Sequence, residues 1–307
     1  MTVVLIRPDA HATWAKALRR HAPEFDIVVW GQDEVEVTQV EYALVWKPEA
    51  GLLTSFPNLK GIYNLGAGVD ALLTDATFPK HIPLARLVDP KLSSGMVEYV
   101  VHWVLHFHRD FHRYGQQQTW RPHDQADTAK RAVGILGLGE LGQDCAHALL
   151  MLGFENVAGW SRSQKELPGI QSFAGVEELD AFLERTEILI NLLPYTDDTH
   201  HILKSDTFDK LPNGSYFINA GRGETVNESG LIACLQNEYI RAAALDVFET
   251  EPLPENHAFW TMPNVTVTPH IASVTDPNSA AQIIAEGLRA WDDGQTPDNL
   301  VDIQQGY

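Results

Sequence analysis

Short runs rich in Val, Ile and Leu alternate along this chain with longer segments whose apolar residues recur at helical spacing. Apolar runs bounded by turn residues predict buried strands, and the longer periodic segments predict the helices that cover them. In the first third, residues 3–6, 42–46 and 59–65 read as strands and residues 13–20 as a helix between them. A second series follows at residues 132–136, 157–160, 188–192, 216–219, 242–245 and 265–268. Between the two series, Met96, Val97, Val100, Val101, Val104, Leu105 and Phe111 predict one long helix over residues 94–118. Residues 277–292 resume the helical pattern after the last strand and are expected to return to the first domain. This alternation predicts an α/β fold with two parallel sheets. Its domains are expected at residues 1–95 with 275–307, and at residues 96–274.

Composition narrows the class. At 307 residues, 44% of them hydrophobic, the chain can bury two substantial cores. Apolar runs such as residues 148–152 fall far short of the roughly 20 residues that cross a bilayer. The first eight residues lack the basic start and small-residue cleavage site of a secretory leader. Cys145 and Cys234 lie far apart in helical contexts, as packed thiols of a reducing compartment do, so a cytoplasmic location is expected. A formal charge of -19 argues against nucleic-acid or anionic-membrane partners, which need a clustered basic face. It also gives weight to each Arg near a candidate anion site, since that cation works against the field of the whole molecule.

Three glycines follow the first strand of the second series, in Gly137-Leu138-Gly139-Glu140-Leu141-Gly142. Placed between a strand and a helix, this is the dinucleotide fingerprint: Gly137 for the tight turn, Gly139 for close approach of the pyrophosphate, Gly142 for helix-on-strand packing. The next strand ends at Trp160-Ser161-Arg162-Ser163-Gln164-Lys165, where an NAD site would carry the acid that holds the ribose. Ser161 stands in that acid's place. Arg162 suits a 2′-phosphate, with Ser161, Ser163 and Lys165 as further donors, so NADP(H) is expected over NAD(H).

Three later strands each end in a reactive residue type: Arg222 in N-A-G-R-G, Glu251 in L-D-V-F-E-T-E-P, and His270 in T-P-H-I-A. Ligand crevices of open parallel sheets lie at the carboxyl ends of strands, so the three should converge. With the motifs G-L-G-E-L-G, N-A-G-R-G-E-T-V-N-E, L-D-V-F-E-T-E-P-L and T-P-H-I-A in this order, the chain resembles the D-2-hydroxyacid dehydrogenase family over essentially its whole length. Within it, the match is strongest to the branch acting on glyoxylate and hydroxypyruvate, through residues 42–46, 65–70, 160–162, 168–175 and the ending Gln305-Gly306-Tyr307.

The resemblance implies two Rossmann-like domains, one flavodoxin-like and one NAD(P)-binding, with parallel sheets and an interdomain cleft. It implies hydride transfer between the nicotinamide and C2 of a small 2-oxo acid. Arg222 would bind the substrate carboxylate, His270 would donate the proton, and Glu251 would pair with His270. The chemistry itself needs a fixed cation, a group titrating near neutrality and an acid to orient it. Gly66-Ala67-Gly68 matches a loop whose amides bind the substrate carboxylate, and Trp46 either walls the substrate pocket or belongs to the core. Asp246 would accept from the nicotinamide carboxamide, with Leu193, Pro194, Thr199 and Ala220 also against the cofactor. A homodimer is implied, with the long helix at its interface.

No metal is expected. His102, His106, His108 and His112 share the long helix without the intervening Glu of a zinc motif, and packing or subunit contact suits them better. His11, His200 and His201 read as surface. The rivals are a non-catalytic dinucleotide sensor acting through a partner, and an NADH-dependent D-lactate-type dehydrogenase. A formate dehydrogenase would carry Gln where Glu251 stands. The phosphoglycerate type would need an added domain for which no length is left after Tyr307.

Overall fold

The computed structural model describes residues 1–115 and 117–306. Gln116, inside the expected long helix, and Tyr307, the end of the closing motif, lie outside them. The chain divides into two compact units, Met1–Leu92 with Thr275–Tyr307 and Ser93–Val274.

The elements run in order β1 (Thr2–Ile6), α1 (His11–His21), β2 (Asp26–Val29), β3 (Val40–Val45), β4 (Gly61–Asn64), α2 (Asp70–Leu73), β5 (Leu84–Arg86) and α3 (Pro90–His108). There follow α4 (Phe111–Tyr114), β6 (Val133–Leu136), α5 (Glu140–Met151), β7 (Val157–Ser161), β8 (Gln171–Ala174), α6 (Leu179–Glu184) and β9 (Ile188–Asn191). The remainder are α7 (Ser205–Phe208), β10 (Ser215–Asn219), α8 (Glu228–Gln236), β11 (Ile240–Leu245), β12 (Val265–Val267) and α9 (Pro277–Asp292).

The first unit holds a five-stranded parallel sheet in the order β2-β1-β3-β4-β5, the flavodoxin-like order. Strands β1, β3 and β4 are buried on both faces over most of their length, which is why residues 3–6 and 42–45 read as unbroken apolar runs. Trp14 and Leu18 of α1 and Ala281, Ile284, Ala285 and Leu288 of α9 pack one face. Helix α9 starts where Asp276 accepts hydrogen bonds from the Asn278 and Ser279 amides with Pro277 in the first turn, so sequence alone locates its N-terminus.

The second unit holds seven parallel strands in the order β12-β11-β10-β9-β6-β7-β8. Chain order reverses between β6 and β9, as in dinucleotide-binding sheets, and that reversal marks the expected ligand crevice. Val100, Val104 and Phe107 of α3 pack one face with Cys145 and Leu149 of α5. Cys145 and Cys234 are buried and unbridged.

The expected helix over residues 94–118 is corrected in two ways. It starts at Pro90, and it stops at His108 because Asp110 takes a left-handed conformation, φ 56, before the short α4. Apolar spacing continues through Phe111 and hides this break. Asp has the short polar side chain that tolerates such a φ, and here it accepts from Tyr216 Oη at 3.2 Å and pairs with Arg113 at 3.5 Å.

Candidate active site

In the second unit the fingerprint glycines have separate physical reasons. A Cβ on Gly137, at φ +99, would lie 2.9 Å from the Leu192 carbonyl oxygen, and one on Gly142 would lie 1.9 Å from that of Gly137. At Gly139 a Cβ would meet nothing within 4 Å, so the backbone there borders open space. Helix α5 begins at that point with no side-chain cap, so its first amides and the positive end of its dipole are available to an anion. Leu138 is buried and packs against Gly159, while Glu140 is exposed and Leu141 half-buried. These features fit a pyrophosphate.

Strand β7 delivers the basic loop beside it. Trp160 anchors the loop by donating from Nε1 to the Gly175 carbonyl at 2.8 Å, and the Lys165 amide donates to Ser172 Oγ at 3.1 Å. Ser161 Oγ donates to the Ser163 carbonyl at 2.8 Å, so its proton serves the turn. Arg162 and Ser163 are exposed, and Lys165 is half-buried. Across the sheet, Leu193 and Ala220 are buried, and Thr199 Oγ1 closes the following loop onto the Pro194 carbonyl at 2.7 Å.

The reactive types emerge at the ends of β10, β11 and β12. Arg222 follows β10, and its Nη1 donates to the Gly221 carbonyl at 2.8 Å. Beneath it lies a buried amide network: Asn191 Nδ2 donates to Asn219 Oδ1 at 2.9 Å and to Thr225 Oγ1 at 2.8 Å, and Thr225 Oγ1 donates to the Arg222 carbonyl at 2.7 Å. His270, at φ 54, holds Glu251 Oε2 at 2.8 Å from its Nδ1. The Phe248 amide donates to the other carboxylate oxygen at 3.3 Å. With Nδ1 facing the carboxylate, Nε2 is the ring nitrogen left for proton transfer.

Asp246, expected to face the cofactor, is 1% exposed and holds the His270 loop. Its Oδ1 accepts from Thr268 Oγ1 at 2.6 Å and the Ile271 amide at 2.9 Å, and its Oδ2 accepts from the Ala272 amide at 2.8 Å. Two lone pairs per oxygen leave it one acceptor direction, on Oδ2.

Glu228, which the sequence reading passed over, steadies the loop that carries Glu251. Its Oε1 accepts from the Glu249 amide at 3.0 Å, and its Oε2 lies 3.2 Å from His257 Nε2. His257 Nδ1 accepts from the Phe259 amide at 3.3 Å, which fixes the proton on Nε2, directed at Glu228. Burial pushes the Glu228 carboxyl up from its ordinary range against the pull of the Glu249 amide and His257. His201, expected at the surface, pairs with Glu249 Oε1 at 2.6 Å. Gly223 lets this loop approach, since a Cβ there would fall 1.9 Å from the Phe248 carbonyl carbon. No sequence motif announces a carboxylate that acts through a neighbour's amide.

In the first unit, Asn64 ends β4, is 2% exposed, and donates from Nδ2 to the carbonyls of Gly66 at 2.9 Å and Gly68 at 2.7 Å. Because peptides are planar and trans, turning those carbonyls inward turns the Ala67 and Val69 amides outward. Trp46 lies against this loop: a Cβ on Gly66 would be 2.3 Å from its ring. Trp46 is half-buried and also packs on the core, as one of the two expectations for it has it.

Among the described residues no group of His, Cys, Asp or Glu is arranged to hold a metal, and no helix is long and apolar enough to cross a membrane. Residues 100–272 match the model of the D-isomer specific 2-hydroxyacid dehydrogenase NAD-binding domain. The chain is 42% identical to a glyoxylate/hydroxypyruvate reductase A of Serratia proteamaculans, with 100% of both chains covered. A D-isomer specific 2-hydroxyacid dehydrogenase of Xanthobacter autotrophicus, solved with NADPH and MES, superposes at TM-score 0.95 with 40% identity over 99% of each chain. An NADPH-dependent glyoxylate/hydroxypyruvate reductase of Sinorhizobium meliloti, solved with NADP and sulfate, gives 0.93 at 35% identity over 100% of each. The chain belongs to the D-isomer specific 2-hydroxyacid dehydrogenase family.

Proposed function

We propose that this protein reduces small 2-oxo acids with NADPH, glyoxylate to glycolate and hydroxypyruvate to D-glycerate. The observation that carries the reading is the His270–Glu251 pair at 2.8 Å, set with Arg222 at adjacent strand ends of a unit that also bears the glycine fingerprint. Relatives solved with NADPH or NADP support the cofactor.

When bound, the cofactor supplies a hydride from nicotinamide C4 to substrate C2. Arg222 fixes the substrate carboxylate and polarises the 2-oxo group by charge-assisted hydrogen bonds. As the carbonyl electron pair moves onto O2, His270 Nε2 delivers a proton there, and Glu251 orients the ring through Nδ1. The outward amides beside Gly66, Ala67 and Gly68 hold the carboxylate, and Trp46 walls the pocket. Arg162, with Ser163 and Lys165, takes the 2′-phosphate. Leu193, Pro194, Thr199 and Ala220 border the cofactor, and Asp246 offers its remaining Oδ2 direction to the carboxamide. The protein works in the cytoplasm as a homodimer that meets through the α3 region.

A matrix of NADPH and NADH against glyoxylate, hydroxypyruvate, pyruvate and phenylpyruvate, read as kcat/KM, tests this. The highest values are expected for NADPH with the first two acids. NADPH binding without turnover of any acid would replace the enzyme by a dinucleotide sensor. Preference for NADH and pyruvate would replace it by a D-lactate-type dehydrogenase.

A further inference from the structure

The carboxyl ends of β1, β3 and β4 lie side by side in the first unit. Ile6 pairs with Val45, and Val45 with Asn64, so the next residues emerge together: Arg7 from β1, Trp46 and Lys47 from β3, and the Gly66 loop beyond β4. Strand order reverses between β1 and β3, and that reversal is where open α/β sheets bind ligands. The glycine loop beyond β4 accounts for one anion. Arg7 and Lys47 bring two positive charges to the switch point, and the reduction of glyoxylate or hydroxypyruvate uses neither.

Arg7 is held rather than floating. Its Cζ lies 5.3 Å from the Trp14 ring centroid and 5.8 Å from that of Trp46, and its side chain is 15% exposed. Nε is occupied by the Asp9 carbonyl at 2.9 Å and the Asp9 carboxylate at 3.1 Å. Among the described residues nothing engages Nη1 or Nη2, so the planar fork keeps its two-nitrogen end for a ligand. Burial works against the Arg7 charge, and Asp9 restores part of it. The exposed Lys47 holds φ 46, a conformation that costs a non-glycine residue energy, and directs Nζ to 5.9 Å from the same Trp46 ring. The Trp46 ring thus has cations within 6 Å and the carboxylate-binding loop against its edge.

We infer that Arg7, backed by Lys47, forms a second anion subsite across Trp46 from the Gly66 loop, so that the preferred substrates are 2-oxo acids carrying a second anionic group on the carbon beyond the carbonyl. This rests on the reductase reading and sharpens its substrate class. A distal carboxylate or phosphate would take a bidentate pair from Arg7, and a neutral group of the same size would gain nothing there and leave Nη1 and Nη2 unengaged.

The test compares oxaloacetate with 2-oxobutyrate, acids of equal chain length that differ by one charge, using NADPH and the full-length protein. In a second arm, 3-phosphohydroxypyruvate is set against hydroxypyruvate to tell phosphate from carboxylate. In the wild type at least one charged acid is expected to exceed its neutral counterpart about tenfold in kcat/KM. Arg7→Gln should bring that ratio close to one, and Lys47→Gln should reduce it by about a factor of two to three. A wild-type ratio near one in both arms overturns the subsite, as does a ratio that survives Arg7→Gln. Should Arg7→Gln fail to fold, the wild-type ratios and Lys47→Gln decide: a high ratio untouched by Lys47→Gln would overturn the shared subsite. Turnover of glyoxylate without charge preference sinks this inference alone, whereas no turnover of any 2-oxo acid sinks the reductase reading.

Discussion

Arg162 follows Ser161, which stands where a carboxylate would exclude a 2′-phosphate by repulsion, and it is exposed just past the end of β7. A charge-assisted bond to phosphate contributes about 1.5–3 kcal/mol. Arg162→Asp is therefore expected to weaken NADPH about 10- to 100-fold in Kd while changing NADH far less. Equal weakening of both cofactors, measured by fluorescence titration, would assign Arg162 to loop structure instead. This residue was legible because its meaning depends on a local strand–loop context that the sequence displays. Asn64, Asn191 and Asn219 were not: each acts from a buried position on backbone groups of the loop that follows it, and Asn191 also bonds the Asn219 and Thr225 side chains, which only the finished sheet brings near. Their letters resemble ordinary turn residues.

At the scale of elements, the apolar strands β1, β3, β4, β6, β7, β9, β10, β11 and β12 could be read from sequence, whereas β2, β5 and β8 escaped the reading. All three are edge strands; Gln171–Ala174 has no fully buried residue and so lacks a continuous apolar run. Helix α8 was also missed, although it matters to the site because Glu228 is its first residue. From there the carboxylate reaches the Glu249 amide, two residues before Glu251. Removing it would leave the Glu249 amide and the His257 Nε2 proton without their acceptor and let the loop drift. Glu228→Ala is expected to lower kcat about tenfold with NADPH Kd unchanged within a factor of two. Because His257 acts through the same carboxylate, His257→Ala combined with Glu228→Ala should cost little more than Glu228→Ala alone. Fully additive losses would mean that the two side chains act independently.

Across the whole molecule, the -19 charge and the histidines near α3 oppose each other as pH falls. Protonating carboxylates relieves the repulsion of the net charge and favours the compact state. His112 works the other way. Among the described residues neither of its buried ring nitrogens has a hydrogen-bond partner, its ring packs among His106, Phe107 and Tyr216, and burial pushes its pKa down to about 4. His106 and His108 are lowered as well, first by burial. An imidazole whose folded pKa lies below its unfolded value takes up its proton first in the unfolded chain. Stability is therefore lost as pH falls from about 6.5 toward about 4, and no further below that. Since the side chain is only half shielded from solvent, screening reduces the effect of His112 to on the order of 1–2 kcal/mol. His112→Phe keeps the aromatic packing and removes both orphaned nitrogens, so it should raise stability at pH 7 and flatten the decline between pH 7 and pH 5 by about 1 kcal/mol. Urea unfolding of both proteins at the two pH values separates His112 from the charge relief, which is common to them. An equal change in the two proteins would mean that His112 protonates in the folded state as readily as in the unfolded one.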